Sequence, residues 1–244
     1  MGKYPLSIEA KNNVFLLKTS IIILFFLQGC GFAADVVTKD ALQNMTPSQA
    51  LQRLIDGNDR FVKNRLKQYR LNDQRYYLGK KGAYPPAVIL CGTDAKVAPE
   101  LIFNQGLGDV HCIRAPASMV TGETIGAMEY ACQYIGSKVI VVMAQTKDPF
   151  IESAIDYNQQ GNMAAIFYQI RPILENIKRD PNWKRWKRED FVNLLTKEFL
   201  LVNTEKVRQM SPILRGLLER GDINLVSAVY NVETGKVGFY KGDE

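Results

Sequence analysis

Histidine is all but missing from this chain. His111 is the only one in 244 residues, so a metal centre built on several imidazoles is excluded. Its neighbour Cys112 cannot help it hold an ion, because adjacent residues on a strand point to opposite faces. Cysteine is scarce as well. Four are present, their spacing follows no disulfide framework, and each of Cys91, Cys112 and Cys132 sits in an apolar stretch. Buried free thiols are the expectation for those three. Internal repeats and low-complexity tracts are absent, which excludes solenoids and biased linkers. Beyond the N-terminal 34 residues, no stretch approaches the ~20 apolar residues needed to cross a membrane. Excess charge is slight. The formal net charge is +6, and residues 1–34 hold three lysines and one glutamate, so +4 remains beyond them. That bias does not point to a nucleic-acid partner.

What is present is ordinary globular material. A hydrophobic fraction of 46% beside 23% charged residues supports one domain with a real core. The N-terminus departs from this. Lys11 and Lys18 precede Thr19-Ser-Ile-Ile-Ile-Leu-Phe-Phe-Leu27, an apolar run of signal-peptide length. Leu27-Gln-Gly-Cys30 follows and resembles a bacterial lipoprotein cleavage box, with Cys30 as the lipid-bearing residue. Cleavage after Ala33 or Ala34 is the rival, giving a soluble exported protein, and an uncleaved anchor is the third alternative. Residues 1–34 are therefore expected to be an export signal, residues 35–45 a short polar linker, and residues 46–244 the folded domain. The expected location is the periplasm or a membrane surface.

Thr46-Pro47 opens a helix, with Thr46 as N-cap and Pro47 in the first turn. Leu51, Leu54, Ile55 and Phe61 follow at helical spacing, and an apolar face of that kind needs a cover. Strands are expected at Ala87–Cys91, Val110–Arg114 and Lys138–Met143, with helices opening at Ala98 and Thr124. Short apolar strands separated by helices predict an α/β domain whose parallel sheet is covered on both faces. Near the end, Asn224–Tyr230 and Lys236–Tyr240 flank Glu233-Thr-Gly235, a strand, tight turn and final strand.

One stretch carries more than fold. Pro86-Ala-Val-Ile-Leu-Cys-Gly-Thr-Asp-Ala-Lys-Val-Ala-Pro-Glu-Leu-Ile-Phe103 runs on through Asn104-Gln-Gly-Leu-Gly-Asp109. It resembles the β-class carbonic anhydrases, in which a buried strand ends in Cys-x-Asp-x-Arg, followed by Val-x-Pro-Glu-x-Ile-Phe and a Gly-x-Gly-Asp turn. The likeness extends from Thr46 to Tyr240. It includes Thr46-Pro-x-x-Ala-x-x-x-Leu-x-x-Gly-Asn58-x-Arg60-Phe61, Gly126-Ala-Met-Glu129-Tyr130, Asn203-x-x-x-Val207, Ser211-Pro-x-Leu214 and the closing Val-Tyr230-x-x-x-Thr-Gly235-x-Val. It implies a central, mainly parallel sheet flanked by helices, with an N-terminal helical arm on a partner subunit. The expected assembly is a homodimer or dimer of dimers. The family cofactor is zinc, held by Cys, His and Cys, and its bound water attacks carbon dioxide.

The ligand positions break the pattern. Anchored on Val97-Ala-Pro-Glu100, the first family Cys falls on Gly92, the Asp on Asp94 and the Arg on Lys96. Cys91 is one residue out of register, which turns its side chain to the other face. The second ligand pair, in Gly-His-x-x-Cys, falls on Gln145 and Asp148. Asp94 and Lys96 are the remnant of the family's Asp–Arg dyad, and a lysine lacks the rigid fork of a guanidinium. Metal ligation at Gly92, Asp94, Gln145 and Asp148 is not expected, and neither is a cofactor. Oxygen donors from Asp94, Gln145 and Asp148 would suit Mg²⁺, Ca²⁺ or Mn²⁺, but a metal-free polar pocket is the simpler expectation. Pro149 and Phe150, after Asp148, predict an altered loop. The expected function is that of a catalytically inactive relative with a binding or assembly role. The alternative is an active carbonic anhydrase on a non-standard metal site.

Lys178-Arg-Asp-Pro-Asn-Trp-Lys-Arg-Trp-Lys-Arg-Glu-Asp190 holds both tryptophans, Trp183 and Trp186, among six basic residues. Two expectations stand for it. One is a docking patch for an acidic partner or anionic headgroups. The other is a solvated segment whose two rings cover the edge of the core.

Overall fold

The computed structural model describes residues 35–156 and 161–241. The expected export signal, residues 1–34 with Cys30, lies outside the described residues. The region expected to be a plain linker contains one helical turn, α1 (Lys39–Gln43), capped by Thr38 and held by buried Leu42. The arm helix α2 (Pro47–Val62) starts as expected, with a full capping box between Thr46 and Gln49 and Pro47 at its first position. Its buried face is Ala50, Leu54, Gly57 and Asn58, while Ile55 is exposed. A helix not expected from the pattern follows, α3 (Leu71–Lys81).

Next come β1 (Ala87–Cys91), the short α4 (Pro99–Ile102) and β2 (Val110–Arg114). Beyond them lie α5 (Gly122–Glu129), which continues into a π-helical turn over Tyr130–Ile135, and then β3 (Val139–Gln145). Among the described residues, α6 (Pro149–Asp156), α7 (Met163–Ile177), α8 (Arg188–Met210) and α9 (Pro212–Glu219) follow β3. The last strands are β4 (Asn224–Tyr230) and β5 (Val237–Lys241).

The sheet order is β2-β1-β3-β4-β5. β1 pairs in parallel with β2 and β3, β3 pairs in parallel with β4, and only β5 runs antiparallel. Central strands β1 and β3 are buried along their whole length, which is why they read as unbroken apolar runs. Alternate residues feed two layers. Val88, Leu90, Ile140 and Val142 pack under α5, α8 and α9. Ala87, Ile89, Cys91, Val141 and Met143 pack with Ala50, Leu54, Ile102 and Phe103 of α2 and α4. A third cluster joins α6, α7 and the start of α8. The two tryptophans belong to its edge: Trp183 and Trp186 stand 5.6 Å and 6.2 Å from the Phe191 ring, centroid to centroid. The core-covering expectation describes these rings.

Candidate functional site

In an open parallel sheet the carboxyl ends of the strands face the ligand crevice. β1 and β3 are neighbours there, with Cys91 opposite Met143. The chain beyond each strand end therefore brings the four singled-out residues to one place. A Cβ built on Gly92 would stand 3.0 Å from Gln145 Oε1 and 3.5 Å from Asp148 Oδ2. Gln145 Nε2 donates to Asp94 Oδ2 at 2.7 Å. Gly92, Asp94, Gln145 and Asp148 thus lie close together at the ends of β1 and β3. Cys91 goes the other way, into the apolar layer under α2 and α4 with no exposure. Burial pushes its thiol up to about 12, so it offers no thiolate near neutral pH.

Asp94 is bound on both oxygens. Its Oδ1 accepts from the Lys96 amide at 2.9 Å, and its Oδ2 faces Lys96 Nζ at 3.1 Å beside the Gln145 bond. Burial raises the carboxyl's affinity for protons, but these bonds from Lys96 and Gln145 outweigh it and hold Asp94 below its ordinary value. Lys96 remains half exposed, an ion pair with one prong.

Asp148 has a role the sequence pattern did not suggest. Its Oδ1 accepts from the amides of Phe150 at 2.9 Å and Ile151 at 3.3 Å. It is the N-cap of α6, and Pro149 is the first helical residue, where its missing N–H costs nothing. The Asp-Pro pair was the available signal. The altered loop expected at Pro149 is a helix start. Lys147, just before the cap, turns the chain through a positive φ of 54°. Asp148 is 3% exposed, and burial lifts its carboxyl above the ordinary value despite the two amide bonds. A second feature had no sequence signal: Gln145 Oε1 is buried with no hydrogen-bond partner.

His111 and Cys112 sit on edge strand β2, half-buried. Burial lowers the His111 imidazole's proton affinity and raises the Cys112 thiol. Among the described residues, no group of three or more His, Cys, Asp and Glu is placed to hold a metal ion. The donor set at the strand ends, two carboxylates and one amide with neither thiolate nor imidazole, does not fit the zinc site that the resemblance implies.

The sequence profile of the carbonic anhydrase family matches residues 87–237. A relative named carbonic anhydrase 2, from Mycobacterium tuberculosis, is 30% identical over 137 residues, which are 56% of this chain and 65% of that protein. The match thus spans just under two thirds of that relative's length. A carbonic anhydrase from Synechocystis is 26% identical over 201 residues, covering 79% of this chain and 72% of the relative. Among solved structures, the β-carbonic anhydrase CcaA superposes with a TM-score of 0.60 at 24% identity, over 79% of this chain and 95% of its own. One of two enzymes described as tetrameric β-carbonic anhydrases, from Sordaria macrospora, does so with 0.63 at 14% identity, over 78% and 95%.

These findings correct one expectation. The expected absence of a cofactor rests on missing ligands, yet the family's members are zinc enzymes, and that overturns a cofactor-free reading of the chain. The physical reason is plain. The residues at 92, 145 and 148 describe which side-chain donors are present at one place, whereas metal content is a property of the whole protein. With its mainly parallel sheet superposing on solved members and its strands β1 to β4 lying in the matched stretch, the chain belongs to the β-class carbonic anhydrase family.

Proposed function

We propose that this chain is a carbonic anhydrase homologue that has exchanged the family's Cys, His and Cys ligands for Gly92, Gln145 and Asp148. In this reading it no longer hydrates carbon dioxide and works through binding or assembly. The observation that carries it is the 2.7 Å bond from Gln145 Nε2 to Asp94 Oδ2. The family dyad needs that carboxylate free to accept a proton or hydrogen bond from metal-bound water. Here both of its oxygens are engaged within the chain, and Asp148 is committed to capping α6. Nothing in the pocket supplies a hydroxide near neutral pH without the family's metal chemistry.

The test is stopped-flow carbon dioxide hydration on zinc-supplemented protein. The unmodified chain is expected to stay at the uncatalysed background. The combined variant Gly92→Cys, Lys96→Arg, Gln145→His and Asp148→Cys is expected to rise above it. A wild-type rate equal to that of an authentic family member overturns the proposal. A rate that appears only with added Mg²⁺ or Mn²⁺ establishes the second reading, an enzyme on an oxygen-ligated metal, which draws support from Asp94 and Asp148 facing one pocket.

The proposal extends to assembly and location. The family likeness, including the tetrameric enzymes of Sordaria macrospora, supports a homodimer or dimer of dimers. The exposed Ile55 and half-buried Leu51 and Phe61 of the arm would lie on the partner. The apolar run to Leu27 and the box at Cys30 support export, with lipid attachment at Cys30 read out by comparing membrane and periplasmic fractions of wild type and Cys30→Ala.

A further inference from the structure

A cleft of ≈ 550 Å³ lies between α8 and the β4–β5 edge of the sheet. Strand alternation fixes its face. Ser227 Oγ lies 2.8 Å from Thr204 Oγ1 of α8, and Val229, two residues on, lines the cleft from the same side. Gln145 follows Val141 and Met143 into the opposite layer, so this cleft is separate from the residues around Gly92.

Gly238 keeps the cleft open. It stands inside β5, opposite Val229. Glycine weakens a strand interior, and neither usual reason for one applies here. Its φ is not positive, and a Cβ there would meet nothing closer than the Tyr240 hydroxyl at 3.8 Å. A larger side chain at 238 would stand in the cleft.

Charge and donors point one way. Lys197 of α8 and Lys236 before β5 both line the cleft, and neither ammonium has a partner among the described residues. No carboxylate is among the described lining residues, and Glu233 in the nearby turn is taken by Lys147. An adjoining cavity of ≈ 380 Å³ shares Asn193 and Asn231 but carries Glu152 and Glu189, which turns an incoming anion toward the lysines. Asn231 Oδ1 accepts from the amides of Glu233 and Thr234, so its Nδ2 is left to donate. A planar carboxylate is matched best by a guanidinium fork, and no arginine lines this cleft. Two point-charge ammoniums suit a tetrahedral dianion. The volume is that of a whole small-molecule site, so the head carries an organic part that rests on Val229 and the Tyr240 ring.

The geometry points to a binding site for a small phosphate monoester, the size of a sugar phosphate, held by Lys197 and Lys236. It stands whether or not the chain hydrates carbon dioxide.

Isothermal titration calorimetry of the folded protein with glucose 6-phosphate tests it, with glucose, sodium sulfate and sodium succinate as comparisons. Saturable binding of the ester is expected, at least about ten-fold tighter than of any of the three. Lys197→Gln and Lys236→Gln are each expected to weaken it about ten-fold, the loss of one charge-assisted hydrogen bond. Lys184→Gln, exposed on another segment, is expected to leave it unchanged. Gly238→Ile, a better strand former, is expected to abolish binding without lowering Tm. Absence of saturable binding, sulfate or succinate binding as tightly as the ester, or binding that survives both Gly238→Ile and the double lysine variant overturns the proposal.

Discussion

Gly57→Ala replaces glycine by the best helix former in the middle of α2, which in an exposed helix would stabilise by about 1 kcal/mol. The structure predicts the opposite sign. The added Cβ would lie 1.8 Å from the carbonyl oxygen of Phe103, 2.7 Å from its carbon and 2.9 Å from Gln105 Nε2. Two of these are backbone atoms at the end of α4 and cannot swing aside. Ordinary contact requires the helices to part by about 1.5 Å. Forced overpacking costs about 1–3 kcal/mol. The displacement also pulls on the next residue, Asn58, whose Nδ2 donates to the carbonyls of Ile102 and Gly235 and whose Oδ1 accepts from the Val237 amide. Each such bond contributes about 0.5–1.5 kcal/mol. Set against the propensity gain, the net loss is about 2–4 kcal/mol, or about 5–15 °C in Tm for a domain of this size. Gly79→Ala is the control. It lies in α3 with nothing within 4 Å of the methyl it would gain, so propensity alone acts and Tm is expected to rise slightly. Thermal unfolding followed by circular dichroism measures both. A Gly57→Ala variant as stable as wild type would refute the claim that this glycine exists for close approach.

Asp109 is 2% exposed, and burial raises its carboxyl above the ordinary 3.8 despite Arg53 and the Gly106 amide. A raised carboxyl contributes stability that is present below 3.8 and lost as pH climbs through the folded value. Asp109→Asn is therefore expected to exceed wild type in stability at pH 7, with the gap closing toward pH 4 in urea titrations. A gap that widens in acid would contradict the sign. For assembly, sedimentation velocity at micromolar concentration is expected to give a dimer or larger species, and a stable monomer would contradict the arm's proposed role.

The strands were legible because a parallel sheet buried on both faces leaves unbroken apolar runs at β1 and β3, whereas their order in the sheet, β2-β1-β3-β4-β5, left no such trace. The turn at Gly106-Leu-Gly-Asp109 was legible as a motif, though its partner was not. α3 escaped the pattern for a physical reason. Its buried residue is Gln74, whose Nε2 donates to the carbonyl of Asp35 and whose Oε1 accepts from the Leu107 amide, so the helix is held by polar bonds that leave no apolar period. At the site, the replacement of donors could be read residue by residue, since each is a statement about side-chain type. The bond between Gln145 and Asp94, and the acceptor left over on Gln145, depend on which way an amide turns, and no spacing encodes that.

The use of Asp148 as a helix cap has a consequence for any redesign of this pocket. Its two amide bonds fasten α6 at its first turn. Replacing it by Cys would release both and cost about 0.5–2 kcal/mol, while Pro149 would still hold the backbone in a helical start. A donor for the strand ends and an anchor for the helix thus compete for one side chain, and any change at 148 is felt in α6 as well as beside Gln145.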